Sequence, residues 1–533
     1  MTERFRVLVT DEIDPEGVAL LRAHPLIEVV EKPTRPAAEV LEEIGDYDAF
    51  IGRSATRVSR ELLQRGDRLK VIGRAGVGVD NVDLPTATEL GIAVINAPGG
   101  NTVSVAELAF GVLIGLARNL PQAWESMHSG RWDRSKLGGV ELRGKTMSII
   151  GVGRIGSEMA RRARAFGMHV IGYDPYVGPA RFEELALERV ARLQEALDRA
   201  DVLTVHVPLN AETRGMIGAP ELARLPRQAF VLNLARGGVV VEDALADALR
   251  AGRIGGAALD VFDAEPLAPD HPLRSVPNLV LTPHLGASTR DAQRNVAIEA
   301  CEAVRDALVS GDLSAAMNAA SVGGAGMREL RPLLALADRL GRLGRALVPG
   351  ALTSLEVRYT GARPEAPRPL LLSALQGAMR DVVERRAINL VNAQHVAAER
   401  GIETASTHVD GRGELGEEIE LRLEGGERSI RVGGAVLGET HGRIIRIGPF
   451  RVDVAPRGVM LVLRNRDVPG VIGRVGTLLG EAGVNIAEYH QARLQVGGEA
   501  LAAVSVDSRI PDEVMELLAS KPEILEVRQV DME

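Results

Sequence analysis

Short apolar runs alternate with helix-period segments over the first hundred residues. RVLVT (6–10), AFIGR (49–53), KVIGRA (70–75) and AVINAP (93–98) predict strands, with helices such as PEGVALLRAH and SRELLQRG between them. Strands alternating with helices imply a parallel sheet covered on both faces. A long helical pattern follows from about Asn101 to Arg118. The segment 145–174 then reads strand, turn, helix, strand, and DVLTVHVP (201–208), QAFVLNLARG (228–237), GGAALDVF (255–262) and NLVLTPH (278–284) predict more parallel strands. This is a second doubly wound domain.

After His284 a helical stretch leads to the Gly-rich SVGGAG (321–326), the best linker candidate. Residues 327–450 change to a mixed α and β pattern that ends β-rich. The last block, 455–533, reads strand, helix, strand, strand, helix, strand. That βαββαβ order predicts a ferredoxin-like domain.

A chain of 533 residues is too long for one core and suggests about three or four domains. Aromatics are 3%, so the cores must be built from Ala, Val, Leu and Ile. The net charge of −9 and the scattered arginines give no reason to expect nucleic acid. One cysteine excludes a disulfide framework and a Cys-rich metal site, and no metal is expected. Cys301 reads as a small buried apolar side chain. MTERFRVLVTDEID lacks an uncharged apolar region, and no stretch is apolar enough to span a membrane. A cytoplasmic protein without a membrane partner is expected.

Gly151, Gly153 and Gly156 form G-V-G-R-I-G between the strand TMSII and the helix IGSEMARRARAFG. The motif is specific only in that context. The first glycine permits the tight turn, the second lets the backbone approach a pyrophosphate, and the third lets helix and strand pack closely. A helix N-terminus favours the anion through its free N–H groups and dipole. Asp174 ends the second strand, where a carboxylate accepts from ribose hydroxyls and repels a 2′-phosphate, so NAD is favoured over NADP. Arg154, inside the loop, reaches the pyrophosphate. His206, in TVHVP, ends a strand on the cofactor side and is read as lining the nicotinamide pocket.

Three polar residues stand where strands of this domain end, which is where such sheets bind ligands. They are Arg236 in NLARGG, Glu265 in DVFDAEP and His284 in TPHLGAS. His284 would take the C2 hydroxyl proton of a 2-hydroxy acid as hydride leaves, and return it in the reverse direction. Glu265 would fix the imidazole tautomer and stabilise its charged form. Arg236 would clamp the substrate carboxylate.

The motifs RSATRV, GRAGVGVDNVD, NAPGGNTVSVAEL, GVGRIG, NLARGGVV, ALDVF–EP and PHLGAST together resemble the D-isomer-specific 2-hydroxyacid dehydrogenase family, over the chain to about residue 310. The resemblance places the family's catalytic residues on Arg236, Glu265 and His284. It places cofactor contacts on Arg154, Ile155, Asp174, Val207, Pro208, Leu234, Ala235, Asp260, Gly286 and Ala287. It implies a flavodoxin-like substrate-binding domain, 1–98 and 287–318, with a Rossmann-type NAD domain, 99–286, inserted in it. The two would close over the substrate by a hinge.

Residues 319–453 resemble the intervening domain of the long members, and 454–533 resemble an ACT regulatory domain. The implied substrate is a small phosphorylated 2-hydroxy acid, 3-phospho-D-glycerate, with 2-oxoglutarate reduction as a side activity. Its phosphate needs cations outside the triad. Arg53 and Arg74 each end a strand of the substrate domain, and Arg134 is placed to reach the site from a neighbouring subunit of a homo-oligomer. Ser54, Asn101 and the backbone N–H groups around Gly76 and Val77 complete the expected contacts. In the ACT-like block, Asn465, Asp467 and Asn485 match the positions around an effector, L-serine. Asn465 departs from the aromatic often found there. Other readings stay open on the same fold: a glyoxylate or hydroxypyruvate reductase, a D-lactate dehydrogenase, or an NAD-sensing binding protein. Glu265 argues against a formate dehydrogenase, and the ACT-like block against the short reductases.

Overall fold

The computed structural model describes residues 4–32, 37–319, 324–380, 388–426, 428–438 and 440–533. Strands β1 (Phe5–Val9), β2 (Ile27–Glu31), β3 (Ala49–Gly52), β4 (Val71–Arg74) and β5 (Ala93–Asn96) form an all-parallel sheet in the order β2-β1-β3-β4-β5. Strands β6 (Thr146–Ile150), β7 (His169–Tyr173), β8 (Glu188–Arg189), β9 (Val202–Val205), β10 (Phe230–Asn233), β11 (Gly256–Leu259) and β12 (Leu279–Leu281) form a second parallel sheet, β12-β11-β10-β9-β6-β7-β8. Its order reverses beside β6, the usual place for a dinucleotide. Strands such as β3, β9 and β11, inside the sheets, and the edge strand β5 are buried throughout, as a sheet covered on both faces requires. The chain crosses between the sheets twice, on the helices Thr102–Ala117 and Arg290–Ser310. The second helix starts on a Thr289 cap and returns to the first sheet, where Val296, Ala300, Cys301 and Val304 are buried.

Strands β13 (Leu352–Thr360), β14 (Glu403–Val409), β15 (Glu417–Gly425), β16 (Arg428–Leu437), β17 (His441–Ile447) and β18 (Phe450–Val454) form a mixed sheet, β14-β13-β15-β16-β17-β18. Helices Gly324–Leu347 and Pro367–Met379 cover one face. Strands β19 (Val459–Arg466), β20 (Ile486–Arg493), β21 (Glu499–Val506) and β22 (Ile524–Asp531) form an antiparallel sheet in the order β20-β21-β19-β22. Helices Val471–Glu481 and Asp512–Ala519 pack on it, the ferredoxin-like arrangement.

The fold class is as expected, with local differences. The proposed Gly-rich linker does not hold as one unit: residues 321–323 lie outside the described residues, and Gly324 already opens a 24-residue helix. Strand β2, the two-residue β8 and the helix Leu120–His128 carried no pattern read as an element. Cys301 is buried, as expected. Among the described residues no single helix is long and apolar enough to cross a membrane.

Candidate active site

The β6 turn has the shape its glycines demand. Gly151 takes φ +92°, and a Cβ there would lie 2.6 Å from the His206 carbonyl oxygen. A Cβ on Gly156 would stand 2.1 Å from the Gly151 oxygen, so helix and turn touch backbone to backbone. Gly153 caps the helix Arg154–Ala165 and has nothing within 4 Å of its Cβ position. That open cradle at a helix N-terminus fits a pyrophosphate. Arg154 is exposed and Ile155 half-buried beside it. Asp174 accepts from the Val152 N–H and the Tyr176 N–H, both at 2.9 Å, which fixes its carboxylate against the turn. The residues present fit a dinucleotide.

On the other side of the crevice stand His206, Val207 and Pro208. The His206 ring bonds Thr204 Oγ1 through Nε2 at 2.9 Å, and its Nδ1 is buried without a partner. Burial pushes its pKa down to about 4, so the ring is neutral at physiological pH. The residue is half-buried, and its backbone carbonyl approaches the glycine turn.

The catalytic candidates come together at the ends of β10 to β12. His284 Nδ1 lies 2.7 Å from Glu265 Oε2, while Glu265 Oε1 accepts from the Phe262 N–H at 3.0 Å. With Nδ1 taken, Nε2 is the nitrogen left for a substrate. His284 sits at φ +55°, a conformation that costs a non-glycine residue about 1–3 kcal/mol. Asp260 compensates. It is 1% exposed, and its carboxylate accepts from Thr282 Oγ1 (2.6 Å), the Leu285 N–H (2.7 Å) and the Gly286 N–H (2.8 Å). Asp260, expected as a cofactor contact, clasps the loop that carries His284, with Gly286 and Ala287 next in line. Asn233, missed in the sequence, does the same for Arg236: its side chain donates to Arg236 O at 2.9 Å and accepts from the Ala235 N–H at 3.1 Å. Leu234 beneath them is buried. The available signal was a polar residue ending a buried strand.

A cleft of about 800 Å³ lies between the first two sheets, with Ser54 and Ala55 on one wall and Phe262, Glu265, Thr282 and His284 on the other. Three guanidinium groups gather on the substrate side. Arg236 reaches across to Asp80, 3.3 Å from its Nε. A Cβ on Gly78 would lie 2.3 Å from Arg236 Nη2, and one on Gly76 would lie 1.4 Å from Arg74 Nη1, so both arginines rest on one glycine loop, with Val77 between. Arg74 has its pKa lowered to about 10, first by burial and then by the charges of Arg236 and Arg53; Asp80 and Asp11 oppose the shift. Arg53 is held by its N–H on Asp11 Oδ2 at 2.6 Å. Such a cation cluster is a ready anion site. Asn101 heads the helix Thr102–Ala117 without a capping bond, and its Oδ1, Thr102 Oγ1 and Ser104 Oγ are buried without partners.

Two groups of expected residues are not brought together. Arg134 lies exposed on the turn Arg134–Lys136, outside the residues that line the cleft. In the last sheet Asn465 pairs with Ala500 and Asp467 follows it, whereas Asn485 precedes Ile486, which pairs with Val506. Asn485 is thus at the opposite end of the strands, roughly 20 Å away at the usual rise per residue. One chain alone does not assemble the expected effector site.

The nucleotide turn, the His–Glu pair and the facing arginines define a hydride-transferring 2-hydroxyacid dehydrogenase. The family model for "D-isomer specific 2-hydroxyacid dehydrogenase, NAD binding domain" matches residues 110–286. Models for the "D-3-phosphoglycerate dehydrogenase intervening domain" and the ACT domain match 329–448 and 459–523. The chain belongs to the D-isomer-specific 2-hydroxyacid dehydrogenase family and is an NAD-dependent dehydrogenase. Within that family it is similar over nearly its whole length to proteins named D-3-phosphoglycerate dehydrogenase. The one from Methanocaldococcus jannaschii is 37% identical over 527 residues, 99% of this chain and 100% of the relative. The one from Bacillus subtilis is 36% identical over 529 residues, again 99% and 100%. A solved glyoxylate reductase from Paecilomyes thermophila, 31% identical with a TM-score of 0.54, covers 58% of this chain and 97% of its own.

Proposed function

We propose that this enzyme oxidises 3-phospho-D-glycerate to 3-phosphohydroxypyruvate, the entry step to L-serine, and that L-serine restrains it through the last domain. The observation that carries the substrate is the gathering of Arg53, Arg74 and Arg236, whose charges act on one another, beside Ser54 on the wall of the cleft that holds His284. One carboxylate needs one arginine; a phosphate ester needs the others. Relatives named D-3-phosphoglycerate dehydrogenase support the same reading.

NAD, when bound, supplies the hydride acceptor. The Gly151–Gly156 turn and Asp174 would hold it. Arg236, with the backbone N–H groups of the Gly76–Val77 loop, holds the substrate carboxylate and draws electron density from C2. His284 Nε2 removes the C2 hydroxyl proton as the hydride departs, and Glu265 stabilises the imidazolium that forms. Arg53, Ser54 and Arg74 hold the phosphate. A dicarboxylate such as 2-oxoglutarate satisfies the same charges, so its reduction as a side activity belongs to this reading.

Assembly as a homo-oligomer belongs to it too. Trp124, Met127, Trp132 and Val140 are exposed on the segment that carries Arg134, and Trp132 is 78% exposed. A second copy covering this patch would bring Arg134 to its neighbour's cleft. Pairing of the last domains would likewise bring Asn485 of one copy to Asn465 and Asp467 of the other.

Arg53→Ala tests the phosphate claim. The KM for 3-phospho-D-glycerate should rise roughly 10- to 100-fold, as expected for a lost charge-assisted hydrogen bond, while D-glycerate turnover changes little. Equal losses for both acids would contradict it.

A further inference from the structure

The nucleotide crevice is bounded by the loops that follow β7 and β9, because those strands flank β6 and its glycine turn. Across its mouth runs a bond that no motif foretells. Tyr176, in the β7 loop, donates its hydroxyl to the Glu212 carboxylate, in the β9 loop. The tyrosine is 78% exposed. Both feet of this bridge are fixed. The Tyr176 N–H donates to Asp174 Oδ1, the carboxylate already bonded to the glycine turn. Glu212 stands in a turn where Asn210 Oδ1 accepts from the Glu212 and Thr213 N–H groups, and Thr213 Oγ1 donates to Pro208 O at 2.6 Å. Glu212 raises the pKa of Tyr176, so the hydroxyl remains a donor across the neutral range. An exposed bond of this kind adds little to folding stability. Two ordered turns that meet over a ligand crevice therefore call for a role in the ligand's recognition.

We propose that Tyr176 and Glu212 form a strap over the adenosine half of the dinucleotide, in which the ring stacks on adenine and Glu212 adds a second carboxylate that rejects a 2′-phosphate. This rests on the reading of Asp174 as the ribose-facing carboxylate. Aromatic rings stack on any base face, and the contact needs no hydrogen-bond pattern. A lone carboxylate disfavours a 2′-phosphate by charge; two on facing loops do so from both sides. Neither residue touches the reacting atoms, so the strap governs which dinucleotide is held and how tightly, and leaves the chemical step to His284.

Calorimetric binding of ADP-ribose, its 2′-phosphorylated form and reduced nicotinamide mononucleotide tests this on the full-length protein. Tyr176→Ala should weaken ADP-ribose at least five-fold, at the low end of base-stacking effects, and Tyr176→Phe should keep most of the affinity. Glu212→Gln should tighten the 2′-phosphorylated ligand about two- to five-fold, the range of an exposed charge pair. Reduced nicotinamide mononucleotide, which lacks adenosine, should bind all variants alike. ADP-ribose affinity unchanged in Tyr176→Ala, or an equal loss with the mononucleotide, would overturn the strap. Asp174→Asn separates the two readings. If it leaves discrimination against the 2′-phosphate intact, the assignment of Asp174 fails. If it abolishes discrimination while the strap variants change nothing, only the strap fails.

Discussion

In the first half of the chain the two parallel sheets keep separate cores: one set of buried residues centres on Val7, Ile51 and Val304, another on Leu203, Val231 and Leu259. They are linked by the two crossing helices, and Arg236 of the second domain reaches Asp80 of the first. In the second half the opposite holds. Leu340, Leu375 and Leu421 of the mixed-sheet domain share one core with Val462, Leu501 and Met532 of the last domain, whose helix-covered face keeps a second core around Leu463, Val475 and Val504. Separate cores around a cleft permit closure over a substrate. A shared core makes two domains move as one body. The first pair flanks the cleft that holds His284; the second is joined by shared apolar packing.

The strongest break of this comparison is chemical. His284→Ala should cut turnover roughly 10²- to 10⁴-fold, the usual worth of a general base, while NADH binding, followed by fluorescence, persists. Retained turnover would remove the proposed base. Core cavities sharpen the comparison next. Leu501→Ala and Leu203→Ala should each cost about 2–5 kcal/mol locally. Followed by hydrogen exchange, the first should loosen both C-terminal sheets together, and the second only the nucleotide domain. Loosening confined to the last sheet after Leu501→Ala would mean that the shared core does not act as one.

The smallest effect concerns pH. His206 titrates near 4 when folded and near 6.5 when unfolded. Between those values the unfolded state binds more protons, so this contribution is full above about pH 6.5 and lost as pH falls toward 4. The melting temperature should therefore drop less between pH 7 and pH 5 in His206→Gln than in the parent. Equal drops would show that the ring is not held neutral.

Much of this was readable in advance because periodicity reports burial. Strands β6, β9 and β10 are mostly apolar and almost wholly buried, and the glycine turn is constrained by contacts as close as that of Gly156 on Gly151. Roles that depend on which residues meet across the fold were not readable. That the Asp260 carboxylate holds three groups of the His284 loop is set by contacts between segments far apart in sequence. Asn233 reads as an ordinary strand end, and Asp80 meets Arg236 only because two domains face each other. Asn485 matched a family position, yet antiparallel pairing carries it to the far end of its sheet. Local pattern fixes the elements; the partners of a buried polar group are set by long-range topology.

The central claim is that the acid bears a phosphate. Initial rates of NADH formation with 3-phospho-D-glycerate, D-glycerate and D-lactate, compared side by side on one preparation, test it most directly. The three arginines predict the highest kcat/KM for the phosphorylated acid, with the margin shrinking as salt screens the cluster. A higher kcat/KM for glycerate or lactate would contradict it.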